Sequence, residues 1–154
     1  MDALVRFIAD WLVIAIAVIG GISFLYYVKK DRYQHFARAL LAGLTALVIA
    51  KIMSAFYVQG ARPFVLMGVE PKAAYLENPG FPSDHALLVF TIVLVVYAAT
   101  GKRQIALLLL VLSVLVAIGR VIALVHTPAD VLGGILAALL GVWIWYGKEL
   151  RKFN

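Results

Sequence analysis

Cysteine is absent from the chain, so disulfides and thiolate metal sites are excluded and no redox compartment is written into it. Histidine is scarce: the three residues show no regular ligand spacing, which argues against a histidine-built metal site. No metal and no cofactor are expected. Charge is scarcer still. Only 14% of the 154 residues are charged against 64% hydrophobic, and the mean hydropathy is +0.99. A soluble domain of this size could not cover so much apolar surface with so few charges, so the solvent is a bilayer. Residues 1–154 are expected to form one helical membrane domain. Met1 to Asp10 lacks the basic n-region and the small-residue cleavage site of a secretory signal.

What is present is a series of long apolar runs, each near the roughly 20 residues that a transmembrane helix needs. Trp11 to Val28 reads as a first span, with Met1 to Asp10 as an interfacial segment or its first turns. Ala39 to about Tyr57 is a second, interrupted by Lys51. The prolines, glycines and mixed charges of Gln59 to Phe81 mark a loop. Ser83 to Thr100, Ile105 to Val125 and Ala129 to Tyr146 complete a five-span, all-α bundle.

The positive-inside rule orients it. The basic loop after the first span, the Lys102–Arg103 turn and the tail from Lys148 carry nine of the fourteen Lys and Arg residues, all on one side of a five-span chain. That side is expected to be cytoplasmic, with the N-terminus outside. Tyr26, Tyr27, Trp143, Trp145 and Tyr146 beside these charges read as an inner aromatic belt.

Three polar clusters then fall at the outer ends of spans. The first is Lys51 with Arg62-Pro63; the second is Pro82-Ser83-Asp84-His85; the third runs from Gly119-Arg120 through His126 to Asp130. An arginine in lipid costs about 2.5 kcal/mol or more, so Arg120 implies a use. Bundling would join the clusters, and their sum suits phosphoryl transfer to a histidine. Arg62 and Arg120 offer guanidinium forks to phosphate oxygens. Ser83 stands as an N-cap before a helical run, whose free amides, including that of Asp84, form an anion site. His126 attacks as neutral imidazole, and Asp130 is placed to accept its other ring N–H. His85 protonates the leaving oxygen and then activates water.

These motifs resemble those of the type-2 phosphatidic acid phosphatase superfamily, lipid phosphatases that share a site with vanadium haloperoxidases. That family's third motif, Ser-Arg, five residues, His, three residues, Asp, fits Gly119-Arg120, His126 and Asp130, with glycine for serine. Its second, Pro-Ser-Gly-His, fits Pro82 to His85, with aspartate for glycine. Its first, Lys, six residues, Arg-Pro, fits only Arg62-Pro63. Ala55 stands where lysine is expected, and Lys51 lies one helical turn earlier. The resemblance implies His126 as nucleophile, Asp130 as its orienting partner, His85 as acid/base, and Arg62, Arg120 and Ser83 as phosphate ligands. Phe81 to His85 and Arg62-Pro63-Phe64 in a short chain are similar to the undecaprenyl-diphosphate phosphatase branch. That likeness implies a metal-independent enzyme in the bacterial cytoplasmic (inner) membrane. Its site would face the periplasm or cell exterior, where it would cleave the lipid carrier of peptidoglycan synthesis.

Two residues depart from this scheme. Asp84 would repel a phosphate, so it should turn away or pair with Arg62 or Arg120. Lys51 lies about 16 Å of continuous helix from Arg62, too far to share one phosphate unless the chain turns back near Gly60. It would otherwise reach a second phosphate, pair with a buried acid, or snorkel to the interface. Taken singly, Ser83-Asp84 also fits a plain helix cap, Arg62 a headgroup contact, and Asp10 an interfacial residue rather than a site residue. Competing substrates are phosphatidylglycerophosphate, phosphatidic acid and lipid A. A competing class is a small anion transporter or channel, which would want polar residues through the membrane depth. The expected partners are membrane lipids and a lipid diphosphate; nothing points to nucleic acid or to a particular oligomer.

Overall fold

The computed structural model describes residues 2–57, 60–78 and 80–150. Gln59 and the last four residues of the expected basic tail lie outside that set. Among the described residues every regular element is helical: α1 (Asp2–Tyr27), α2 (Arg32–Phe56), a short α3 (Pro63–Leu66), α4 (Asp84–Thr100), α5 (Arg103–Ile122) and α6 (Pro128–Leu150). Helices α1, α2, α5 and α6 are long and apolar enough to cross a membrane, and α4 is equally apolar but has 17 residues.

Local chemistry sets the helix ends. Arg32 caps the carboxyl end of α1, donating from Nε to the Val28 carbonyl at 3.0 Å and from Nη2 to the Leu25 carbonyl at 3.1 Å. At the start of α4 the Ser83 hydroxyl accepts from the Ala86 amide, and Gly101 closes the helix in a left-handed conformation (φ 64°). Thr127 and Asp130 open α6 as a reciprocal capping box. The Asp130 carboxylate accepts from the Thr127 amide at 2.7 Å, and the Thr127 hydroxyl accepts from the Asp130 amide at 3.2 Å. Pro128 occupies the first helical position, where its missing N–H costs nothing.

Helix α6 is the centre of the bundle, packed most extensively on α4 and α2. The α2–α6 contact is built from small residues: a Cβ added at Gly141 would stand 2.6 Å from Ala46 Cβ and 2.8 Å from the Ala42 carbonyl oxygen, a close backbone approach of the kind lipid-embedded helices make. Ile16, Val89, Leu109 and Val116 fill the interior, while Ile14, Val18, Ile22, Val111 and Ile144 face outward. This all-round apolarity fits a bundle solvated by lipid.

The two ends of the bundle differ. At one, Arg38 bonds Glu149, Lys102 lies over the Tyr27 ring and the Tyr146 hydroxyl donates to the His35 carbonyl. The basic segments of the sequence thus meet at that end. The other end gathers the start of α4, the end of α5, the start of α6 and the 60–83 segment.

Candidate active site

The opening of α6 presents His126 and Asp130 together. Four residues apart, they share one face across the helix start, with His126 Nδ1 3.6 Å from Asp130 Oδ2. The same carboxylate is pinned by the Thr127 amide, so its direction is set by the capping box. His126 is 5% exposed. Burial lowers its pKa below the ordinary histidine value; Asp130 opposes the shift, and the Arg120 and Arg62 charges add to it. A neutral ring at neutral pH follows, which is the form that can attack phosphorus.

Arg120 ends α5 and is 1% exposed. Its Nη1 donates to Asp10 Oδ1 at 2.8 Å, while its buried Nε has no hydrogen-bond partner among the described residues. A buried orphan donor on a guanidinium is an opening for an anion. Arg62 is buried and held by the loops around it. Its Nη1 donates to the Val125 carbonyl at 2.6 Å, and its Nη2 donates to the Leu76 carbonyl at 2.9 Å and to Asn78 Oδ1 at 2.7 Å. Burial lowers the Arg62 pKa, opposed by Asp130, Tyr75 and Asp84, yet an arginine starting this high stays cationic. Arg62 therefore fastens the 60–78 segment to the α5–α6 turn as well as charging the site.

At the α4 start, Ser83 is fully buried and its amide donates to the Asp130 carbonyl at 2.9 Å, joining two helix starts. That junction needs Gly134, where a Cβ would stand 2.6 Å from the Ser83 carbonyl oxygen. His85 follows one residue inside α4.

Arg62, Asp84, His85, Arg120 and His126 line one cavity of about 140 Å³, with Ala74, Tyr75, Leu76 and Asn78. The three sequence clusters do meet. Asp130 stands behind His126. Ser83 is not part of its lining; its hydroxyl accepts from the Ala86 amide. Asp84 is exposed at the wall, and among the described residues no ion pair joins it to Arg62 or Arg120. Lys51 lines a separate recess with Ser54 and Phe81, which shares Asn78 and Asp84 with the cavity; no ion pair links it to Asp84 among the described residues.

Three contributors escaped the sequence reading. Asn78 and Tyr75 hold Arg62, the latter with its ring 5.3 Å from the guanidinium carbon. Asp10, read as interfacial, is half-buried and is the ion-pair partner of the buried Arg120. Nothing local to these residues announces such contacts.

Chemically, the cavity offers two cations, a neutral imidazole backed by a carboxylate, and a second histidine. That set can bind an oxyanion, attack it and handle a proton. Among the described residues no group of three or more His, Asp or Glu is disposed to hold a metal ion.

Comparison with known proteins agrees with the geometry. The PAP2 superfamily matches residues 11–153. A protein of Escherichia coli K12, YbjG, provisionally named an undecaprenyl-diphosphatase, is 30% identical over 99% of this chain and 78% of its own. The undecaprenyl-diphosphatase BcrC of Bacillus subtilis 168 is 27% identical over the same shares. The bacitracin transport permease protein BcrC of Bacillus licheniformis is 31% identical over 92% of this chain and 67% of its own. No solved structure gives a significant match. With its motifs converged on one cavity and the family match covering nearly its whole length, the chain belongs to the PAP2 superfamily.

Proposed function

We propose that the chain is an integral-membrane phosphatase that removes the terminal phosphate of a polyprenyl diphosphate, undecaprenyl diphosphate in particular. The reaction would take place on the extracytoplasmic face of a bacterial cytoplasmic membrane. One observation carries the lipid substrate. The polar cavity adjoins an apolar groove of about 540 Å³ between α2 and α4, lined by Leu40, Leu44, Leu47 and Leu88, and the two share Leu76 and Asp84. A phosphorylated headgroup fits the first and a hydrocarbon tail the second. Helix α4 rises only about 26 Å, less than the roughly 30 Å hydrocarbon core, so His85 at its amino end sits near the membrane boundary, where such a headgroup lies.

The steps follow from the arrangement. Arg120 and Arg62 hold the terminal phosphoryl group, aided by the first-turn amides after Ser83. His126 attacks phosphorus through Nε2, since Nδ1 faces Asp130. The bond to the bridging oxygen breaks and the lipid monophosphate departs, taking a proton from His85. His85 then accepts a proton from water, whose oxygen attacks the phosphohistidine, releasing inorganic phosphate and restoring His126. The arginines carry the charge that develops on the phosphoryl oxygens, and no step calls for a metal. Lys51, in a recess that shares Asn78 and Asp84 with the cavity, would meet the second phosphate.

Five crossings with the basic loops inside would set this cavity outside the cytoplasm. The name of the Bacillus licheniformis relative raises transport as a second reading. Here the buried charged side chains Arg62, Arg120 and Asp130 gather with His126 at one end, and Ile16, Val89, Leu109 and Val116 fill the bundle interior, which favours a surface enzyme over a path.

The test is phosphate release by purified protein from undecaprenyl diphosphate, phosphatidylglycerophosphate, phosphatidic acid and lipid A, with and without EDTA. Release fastest from undecaprenyl diphosphate and indifferent to EDTA is expected. No release from any lipid would overturn the enzyme reading, and preference for a monophosphate would overturn the substrate. Loss in EDTA would overturn the metal-free chemistry.

A further inference from the structure

Asp10 lies just before the segment matched by the family, 110 residues from Arg120 in sequence, and yet bonds it inside the bundle. Its carboxylate is shared between two walls of the site. Oδ1 accepts from Arg120 Nη1 at 2.8 Å, and Oδ2 accepts at 2.9 Å from the amide of Ala74, a residue of the cavity lining. Arg6 Nε stands 4.0 Å from Oδ2 on the outer side. The Asp10 side chain is 14% exposed and that of Arg120 2%, so the pair is shielded from solvent.

Delivery of Asp10 depends on backbone geometry. Helix α1 makes a π turn over Phe7–Trp11, where the Leu12 amide bonds the Phe7 carbonyl five residues back. Such a turn inserts one extra residue and rotates the side chains after it; these turns recur at functional sites. Here it leaves Phe7 and Trp11 outside while Ala9 is fully buried and Asp10 faces inward. The turn rests on Gly119. A Cβ there would lie 3.0 Å from Ile8 Cγ2 and 3.3 Å from the Ala9 amide nitrogen. Gly119 thus receives Ala9, and the next residue on each side, Arg120 and Asp10, meet.

We propose that Asp10 is a positioning residue for Arg120. By clasping Nη1 it fixes the plane of the guanidinium, so that the orphan Nε is held in one orientation towards the phosphoryl group. A planar fork anchored at one corner has lost the rotation that would misalign the remaining donors. The proposal rests on the phosphatase reading, in which Arg120 binds the phosphoryl oxygens.

The experiment is a double-mutant cycle on phosphate release from undecaprenyl diphosphate. Asp10→Ala and Asp10→Asn are made in the wild-type chain and in an Arg120→Lys background, whose ammonium keeps the charge but has no plane to hold. Asp10→Ala should lower kcat/KM by about 10- to 100-fold, the worth of one hydrogen bond to a charged group. Asp10→Asn, which keeps an acceptor, should stay within about tenfold of wild type. In the Arg120→Lys background the Asp10→Ala loss should shrink at least about fivefold, because the two residues act as a unit. Should Asp10→Ala fail to fold, Asp10→Asn carries the cycle with the same sign of coupling. Equal losses in both backgrounds, or an Asp10→Ala enzyme within twofold of wild type, would overturn the role of Asp10 alone. A wild-type chain that releases no phosphate would overturn the function and this role with it.

Discussion

A histidine attacks phosphorus only through an unprotonated nitrogen, so with His126 as the proposed nucleophile its environment would decide the range in which the site works. Burial and two neighbouring guanidinium groups lower its pKa, with Asp130 opposing. The lowered folded value means that the neutral ring survives to lower pH than a free imidazole would. The acid limb of kcat/KM should therefore fall below the ordinary histidine pKa of about 6.5. A pH–rate profile measured under subsaturating lipid checks this; an acid limb at or above that value would contradict it. The residues behind this chemistry differ in how they could be read. His126 and Asp130 lie four apart and Arg120 only six before the histidine, so spacing alone joined them. Asp10 carried no such mark, since its contact crosses 110 residues and depends on a π turn that no propensity announces. Asn78 and Tyr75 were hidden in the same way, inside a loop whose path depends on tertiary contacts.

At the scale of elements, the site exists because two helix starts and one helix end converge. The α4 start is fastened to the α6 start by the bond from the Ser83 amide to the Asp130 carbonyl, across the bare face of Gly134. A methyl group at Gly134 would meet the Ser83 carbonyl oxygen at 2.6 Å and the Leu87 amide nitrogen at 3.0 Å, both backbone atoms that no rotamer change can move. Gly134→Ala should therefore part the two helices, destabilise the fold by about 1–3 kcal/mol and move His85 away from His126. Thermal unfolding in detergent and phosphate release should both decline; an unchanged midpoint with full activity would refute the junction. Helix positions were legible from the apolar runs, because a stretch of about 20 such residues has few alternatives in lipid. Their ends were legible to within a few residues, because capping chemistry and not hydropathy sets them. The first helix begins at Asp2, so Met1 to Asp10 supplies its first turns, one of the two readings the sequence left open, and α6 begins at Pro128, one residue before the expected Ala129, and runs on to Leu150, past the expected Tyr146. Lys51 could be placed on α2 but not related to the site, because the turn after α2 decides which wall it joins.

For the whole molecule, the segregation of charge is the chief organising feature. Arg38, Glu149, Lys102 and Tyr27 meet at one end of the bundle, and Arg62, His85, Arg120 and His126 at the other. If the positive-inside rule holds here, a membrane-impermeant thiol reagent should label Lys72→Cys in intact cells and Lys102→Cys only after permeabilisation. The absence of native cysteine leaves no background. The reverse pattern would invert the topology and bring the cavity to the cytoplasm. The covalent step on His126 is open to a direct measurement. Undecaprenyl diphosphate labelled in its terminal phosphate should transfer label to the protein during turnover. After alkaline quenching, which spares a phosphorus–nitrogen bond, the label should be found on His126. The His126→Ala variant should carry none and lose at least about a thousandfold in rate. A His126→Ala variant that still turns over at the wild-type rate, or label found on another residue, would contradict a phosphohistidine at this position.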